Sequence, residues 1–151
     1  MALDDDVRIL TGVGLFESFT QEQIRLLAFG AESAFLASGN ELFREGEPAD
    51  CAYVVVSGHI GLFRERDGER LAVGKVGPGA LIGEFALISE TKRLTGAVAL
   101  SDTDLIRLNR KPFRRILEEY PDIAVSLYNR VADDFAKMVR RIEDIAPRFA
   151  S

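Results

Sequence analysis

The sequence has almost none of the residues that build metal and redox sites. Its 151 residues include one cysteine (Cys51), one histidine (His59) and no tryptophan. A lone cysteine excludes an internal disulfide, a cysteine-rich zinc site and a four-cysteine iron–sulfur cluster. A lone histidine excludes a multi-histidine metal centre, and any Ser-His-Asp triad has to run through His59. We interpret Cys51 as a small buried residue and His59 as a surface or strand residue, with a haem ligand as the other option for His59.

Basic charge and long hydrophobic runs are also scarce. The chain has 19 Lys and Arg against 24 Asp and Glu, a net charge of -5, which disfavours direct binding of DNA. Three aspartates, Asp4 to Asp6, stand where a signal peptide needs positive charge. The longest uncharged stretches, such as residues 51–61, are far too short to span a bilayer. We therefore expect a cytoplasmic protein without a membrane partner.

The residues that are present form an ordinary globular composition with helices at both ends. Hydrophobic residues make up 47% of the chain and charged residues 28%, so we expect one domain. Residues 1–30 have a helical pattern, in which Thr20 and Gln23 fit a capping box. Residues 112–146 are helical again, and Pro121 suits the first turn of a long helix.

The middle of the chain, residues 31–109, has the pattern of antiparallel strands. Short apolar runs such as residues 53–56 are separated by turn residues at intervals of roughly ten. The dipeptide Asp67-Gly68 lies within the charged run of residues 64–70 and predicts a hairpin with a solvated tip. This pattern predicts a sandwich or barrel between the two helical segments.

One segment carries the chemistry, residues 77–97, with the sequence GPGALIGEFALISETKRLTGA. A turn that begins at Gly83 offers free backbone N–H groups and a positive dipole end, which suits an anion. Arg93 follows a short loop and can fold back onto the same anion as a planar donor. Glu84 is of no use to a phosphate but accepts hydrogen bonds from hydroxyl groups. A sugar phosphate satisfies all three features together.

This segment resembles the phosphate-binding cassette of cyclic nucleotide-binding domains. Such domains occur in catabolite activator-type regulators, protein kinase A regulatory subunits and cyclic-nucleotide-gated channels. The family pattern is Phe-Gly-Glu-Leu-Ala-Leu, a short loop and Pro-Arg-Ala-Ala; residues 82–87 (IGEFAL) and 92–95 (KRLT) take those places here. Residues 42–50 and 53–58 also resemble the family's strands and turns, so the similarity covers nearly the whole chain.

The resemblance implies an α+β fold, an antiparallel β jelly-roll barrel (double-stranded β-helix) flanked by N-terminal helices and a long C-terminal helix. Residues 1–151 then form a single cyclic nucleotide-binding domain with its cassette at 82–95. Its function would be a non-enzymatic sensor of cAMP or cGMP that signals by a change of shape, with no separate cofactor. The alternative is a degenerate member of the family, a structural or interaction module without ligand.

The resemblance also assigns roles to individual residues. Glu84 would accept a hydrogen bond from the ribose 2′-hydroxyl, and Arg93 would pair with the cyclic phosphate. The long helix would cover the base as a lid. The remaining contacts would come from backbone amides and from lid side chains: Gly83, Phe85, Ala86, Leu94, Met138 and Val139.

Three features depart from the family pattern: Lys92, Leu94, and the lid, where Met138 and Val139 stand in the region from which some relatives offer polar contacts to adenine. Lys92 replaces the usual proline, which loosens the loop but keeps positive charge. Leu94 lacks the hydroxyl that often accompanies guanine recognition in the family. Thr95 lies on the opposite face of an ideal strand from Leu94, so it can replace that hydroxyl only if its side chain points inward. The preference between cAMP and cGMP therefore stays open.

Two further interpretations compete with ligand binding. Without the family pattern, Glu84 and Arg93 are better interpreted as a structural ion pair on a surface loop. An enzyme on a cupin-type barrel needs a metal cluster that the sequence lacks. The series Gly77, Gly79 and Gly83 lacks the Gly-Lys-Ser/Thr ending of a nucleoside-triphosphate loop.

The long helix carries two apolar lines that predict a homodimer. We expect output through self-association or an unidentified protein partner, because six residues after Ile145 cannot encode a helix-turn-helix. One line has the spacing of a coiled coil and the other runs alongside it. The first comprises Ala124, Tyr128, Val131, Phe135, Met138, Ile142 and Ile145, and the second Val125, Ala132, Val139 and Ala146. The alternative is a helix that packs only onto its own barrel.

Overall fold

The computed structural model describes residues 2–145, with α-helices at both ends. They are α1 (Ala2–Thr11), α2 (Gln21–Phe29), α3 (Arg110–Glu119) and α4 (Pro121–Ile145), with 3₁₀ turns at Gly14–Phe16 and Glu84–Leu87. The predicted capping box is present at the start of α2. The Thr20 hydroxyl accepts from the Gln23 N–H at 3.2 Å, and the Gln23 side chain accepts from the Thr20 N–H at 2.8 Å.

Antiparallel strands form the middle of the chain, as the sequence predicts. They are β1 (Glu32–Leu36), β2 (Glu41–Phe43), β3 (Pro48–Ala49), β4 (Cys51–Ser57), β5 (Ile60–Arg66), β6 (Glu69–Val76), β7 (Leu81–Ile82), β8 (Thr91–Lys92), β9 (Gly96–Ala99) and β10 (Thr103–Asn109). One sheet has the order β1-β10-β4-β7, the second β2-β9-β5-β6, and β3 pairs with β8. This arrangement confirms the α+β class.

The β5–β6 hairpin has the expected turn, but two arginines of β5 form ion pairs with a neighbouring loop. Asp67 and Gly68 have φ angles of 55° and 81°, the positive values that a two-residue hairpin turn requires. Arg64 donates from Nε and Nη2 to one Glu45 oxygen at 2.9 and 2.7 Å, and Arg66 donates to the same oxygen at 3.0 Å. The solvated tip of the sequence interpretation is therefore wrong for Arg64 and Arg66, because the β2–β3 loop supplies their carboxylate.

Two buried clusters make up the core, and α4 belongs to both. The first lies between the helices and the β1-β10-β4-β7 sheet and includes Phe16, Phe113 and Val131. The second fills the inside of the barrel and includes Val55 and Ile142. Val131 and Ile142 both lie on α4. The helix therefore runs from the helical layer to the barrel and covers the space between the two clusters.

Candidate functional site

A cavity lies where the predicted cassette meets α4. The 3₁₀ turn Glu84–Leu87 forms one wall, the segment around β8 and residues 93–95 forms a second, and α4 closes it. Phe43 and Leu62 of the barrel also contact it. Segments that are far apart in the sequence thus meet at one place.

Arg93 is the most constrained residue of this cavity. Its side chain is 8% exposed, and Nη2 donates to the Cys51 carbonyl at 2.9 Å and contacts the Cys51 Sγ at 3.4 Å. The guanidinium carbon lies 4.3 Å from the centre of the Phe43 ring, which is cation–π distance. The backbone is held as well: its N–H donates to the Glu47 carbonyl, and its carbonyl accepts from the Gly46 N–H, each at 2.8 Å.

The guanidinium of Arg93 has no counter-charge within the described residues. No carboxylate from residue 2 to 145 forms an ion pair with it, and Nη1 is buried without a hydrogen-bond partner. Burial raises the pKa of the neighbouring Tyr53 to about 12, with hydrogen bonding and charge from Cys51 adding to it, so Tyr53 is a neutral phenol at physiological pH. A buried cation left unpaired is costly, and this one is positioned for an anionic partner.

The burial of Arg93 overturns the interpretation of Glu84 and Arg93 as a surface ion pair. The two residues line the same cavity, yet the contacts of the Arg93 guanidinium are a carbonyl, a thiol and aromatic rings.

Gly83 leads into the turn with a backbone that only glycine adopts easily. Its φ is +75°, in the left-handed region. A Cβ atom placed there would overlap Nη1 of Arg93 and lie 3.7 Å from the Cys51 carbonyl oxygen. Glycine therefore allows the turn and the guanidinium to approach each other, a role beyond the free N–H groups expected from the sequence.

Glu84 is the half-buried first residue of the turn and faces the cavity together with Asp134 of α4. Burial raises the pKa of Glu84, the hydrogen bond from its own backbone N–H lowers it, and the charge of Asp134 raises it; the net shift is upward. Two acidic side chains thus line the same cavity, and their oxygens can accept hydrogen bonds there.

The other predicted cassette residues all lie at the cavity: Phe85, Ala86, Leu94 and Thr95. Leu94 and Thr95 both line it, because they form a bend before β9 begins at Gly96 and the alternation of an ideal strand does not apply. Thr95 is 4% exposed. The N–H of Ala86 donates to the Gly83 carbonyl at 3.0 Å. In this conformation it forms a hydrogen bond within the turn.

On α4, the two predicted lid residues differ. Met138 lines the cavity, whereas Val139 does not, because successive residues of a helix point about 100° apart. The predicted contact of Val139 with the ligand base is not supported by this arrangement. Asp134 and Phe135, which the sequence analysis did not assign to the site, line the cavity instead. Their spacing of three and four residues from the core residue Val131 is the signal that could have found them.

Comparisons with known proteins agree with this geometry. The sequence profile of the cyclic nucleotide-binding domain family matches residues 34–120, and the chain belongs to this family. The chain is 30% identical over 119 residues to the Cyclic AMP receptor protein of Thermus thermophilus, which covers 78% of this chain and 55% of the receptor. A solved structure, the cyclic nucleotide-binding-like protein from Brucella abortus, is 63% identical with a TM-score of 0.70, and the match covers 76% of this chain and 99% of that one.

The curated relatives are longer than this chain. Lysophospholipase nte1 of Aspergillus fumigatus is 26% identical over 136 residues, 89% of this chain but 9% of the relative. The chain therefore spans about half of the Thermus receptor and less than a tenth of the lysophospholipase. Across residues 2–145, none of the helices combines the length and apolar character needed to cross a membrane.

Proposed function

We propose that this protein is a non-enzymatic sensor that binds a 3′,5′-cyclic nucleotide, cAMP or cGMP, in the cavity between the turn and α4. The observation that carries the proposal is the buried guanidinium of Arg93, which lines the cavity with Nη1 unpaired. A cyclic phosphate supplies one negative charge and several acceptor oxygens, which is the complement that Nη1 lacks.

The rest of the cavity is consistent with a nucleoside attached to that phosphate. Glu84 accepts the ribose 2′-hydroxyl, and Gly83 allows the phosphate to approach the turn. Phe85, Leu94 and Met138 give the base an apolar surface, with the Thr95 hydroxyl as a polar contact. The name of the Thermus receptor favours cAMP, while Thr95 and Asp134 offer acceptors that either base can use.

We further propose that residues 1–151 act as one regulatory unit in the cytoplasm and signal through a second copy or another protein rather than by binding DNA. On α4, Val131 and Met138 of the first apolar line face the protein's own core and cavity. On the second line, Val125 is 68% exposed and Ala132 is also exposed, whereas Ala146 lies outside the described residues. A second copy of α4 would cover this outward line, which supports the homodimer.

Isothermal titration calorimetry with cAMP, cGMP and linear 5′-AMP tests the proposal. We expect one of the cyclic nucleotides to bind and 5′-AMP to bind more weakly. Arg93→Ala should weaken binding about ten- to a thousandfold, because one or two charge-assisted hydrogen bonds are lost. Arg93→Lys is the matched control, since it keeps the charge but not the planar donor pair, and we expect an intermediate loss.

A second comparison separates the two halves of the site. Glu84→Gln should weaken cAMP binding but change the affinity for 2′-deoxy-cAMP little, because that analogue lacks the hydroxyl. If neither cyclic nucleotide binds the wild-type protein, the degenerate alternative is correct. If the Arg93→Ala and Glu84→Gln variants bind cAMP and cGMP as tightly as the wild-type protein does, the site has been assigned wrongly.

A further inference from the structure

Arg110, the first residue of α3, holds the cavity turn from outside the cavity. Its Nε donates to the Ala86 carbonyl at 2.6 Å, and its Nη2 donates to the Ala49 carbonyl. Its backbone N–H donates to the Asp50 carbonyl at 3.0 Å. One residue thus joins the centre of the 3₁₀ turn, the end of β3 and the start of α3.

These contacts share a segment with Arg93. The carbonyls of Ala49 and Asp50 accept from Arg110, and the carbonyl of the next residue, Cys51, accepts from Nη2 of Arg93 at 2.9 Å. Three consecutive carbonyls therefore bind two arginines, one inside the cavity and one behind the turn. The position of the guanidinium relative to the turn is set by this shared segment.

We infer that Arg110 is a positioning residue: it fixes the turn that carries Gly83 and Glu84 at the correct distance from Arg93. The turn is four residues long, and a single 3₁₀ turn makes few hydrogen bonds of its own. Nε binds its middle carbonyl while Nη2 is held on the segment that also holds Arg93. A lysine cannot reproduce this, because it presents a single point of donation rather than a planar pair.

The same link connects the cavity to the helical layer. Since Arg110 is the first residue of α3 and α3 leads directly into α4, a displacement of the turn by an anion moves the N-terminus of α3 through the Ala86 carbonyl. This inference rests on the proposed function for its ligand, but the positioning role itself concerns the free protein.

The first test therefore needs no ligand. Amide hydrogen exchange is compared among wild type, Arg110→Gln, Arg110→Lys and the control Arg114→Gln, which changes an exposed arginine on the same helix. In both Arg110 variants we expect the amides of residues 84–88 to exchange at least about tenfold faster, with β5 and β6 unchanged. The control should match wild type.

The second test uses cAMP and cGMP and a double-mutant cycle. If Arg110 acts by placing the turn, Glu84→Gln weakens binding less in the Arg110→Lys background than in wild type, whereas additive losses would contradict positioning. Unchanged exchange at 84–88, or an equal increase at every amide, would overturn the inference. If wild type binds neither nucleotide, the proposed function fails, and the exchange measurement alone decides the role of Arg110.

Discussion

The rings of Phe85 and Phe135 stack with their centroids 4.5 Å apart and their planes inclined by 23°. Phe85 belongs to the turn that begins with Glu84, and Phe135 belongs to α4. A second link joins the two elements: the Tyr128 hydroxyl of α4 donates to the carbonyl of Ile88, the residue that follows the turn, at 3.3 Å. The turn and the helix that covers the cavity are therefore in direct contact. A displacement of either one changes these contacts.

Removing the Phe135 ring tests the strength of this contact. We expect Phe135→Leu to lower the free energy of unfolding by about 1–2 kcal/mol, since an aromatic pair adds roughly 0.5–1.5 kcal/mol to the area it buries. Urea unfolding provides the measurement. The control is Phe29→Leu, the same change at a side chain that is 84% exposed, for which we expect a change within about 0.5 kcal/mol. Equal effects of the two variants would show that the stack contributes nothing specific.

Alanine at Gly83 separates backbone strain from obstruction of the site. Gly79 is the matched control, because its φ is also positive, at +89°, while a Cβ there meets nothing within 4 Å. Both variants should lose about 1–2 kcal/mol of stability from the left-handed backbone. Only Gly83→Ala should also displace Arg93 and lower the affinity for cyclic nucleotide, by about tenfold or more. Wild-type affinity in Gly83→Ala, measured by calorimetry, would contradict the close approach of turn and guanidinium.

The raised pKa of Glu84 predicts a pH-dependent stability of the ligand-free protein. The folded state binds this proton more tightly than the unfolded state, so the free energy of unfolding falls as the pH rises from the ordinary Glu value of 4.5 through the raised one. Glu84→Gln removes this loss. The variant should therefore gain stability relative to wild type as the pH rises towards neutrality, while binding cyclic nucleotide less well.

Urea unfolding of both proteins across this pH range is the measurement, with Glu90→Gln, a change at an exposed residue just beyond the turn, as the control. If the free energy of unfolding differs between wild type and Glu84→Gln by the same amount at every pH, the ionised form of Glu84 is not destabilised in the folded protein.

The proposed homodimer is tested on the outward face of α4. Phe135 is unsuitable for testing it, because its ring stacks on Phe85 of the same chain. Val125→Glu places a charge on the outward apolar line, and Ser126→Glu places the same charge on an exposed position of another face. In light scattering we expect wild type and Ser126→Glu to be dimers and Val125→Glu a monomer that still binds ligand. A wild-type monomer with and without cAMP removes the dimer from the proposal.

Local signals in the sequence predicted most of the fold. The capping box at Thr20, the Asp67-Gly68 turn and the start of α4 at Pro121 are each set by neighbouring residues, and the structure contains all three. Leu94 and Thr95 belong to the stretch 31–109 with the strand pattern, yet they bend into the cavity wall and β9 begins only at Gly96. Hydrophobicity alone does not distinguish such a bend from a strand.

The partners of the site residues could not be predicted from local signals. Arg93 and Cys51 are 42 residues apart, and Arg110 and Ala49 are 61 apart; the pairing of β3 with β8 and the position of α3 bring them together. The family resemblance places Val139 at the cavity and does not include Asp134, whereas the structure has the reverse; position within the family does not determine which side of a helix a residue lies on. Positions three, four and seven residues after the buried Val131 lie on one face of α4, and these are Asp134, Phe135 and Met138, which line the cavity.

The way Arg93 is fixed has a consequence for the thermodynamics of binding. A flexible arginine on a surface loses roughly 0.5–1.5 kcal/mol of rotamer entropy when a ligand immobilises it. Here the Cys51 carbonyl, the Phe43 ring and both backbone bonds to the 46–47 turn hold the side chain before any anion arrives. That ordering occurs during folding, so the guanidinium is preorganised, and the phosphate of the proposed ligand would meet a donor already in place.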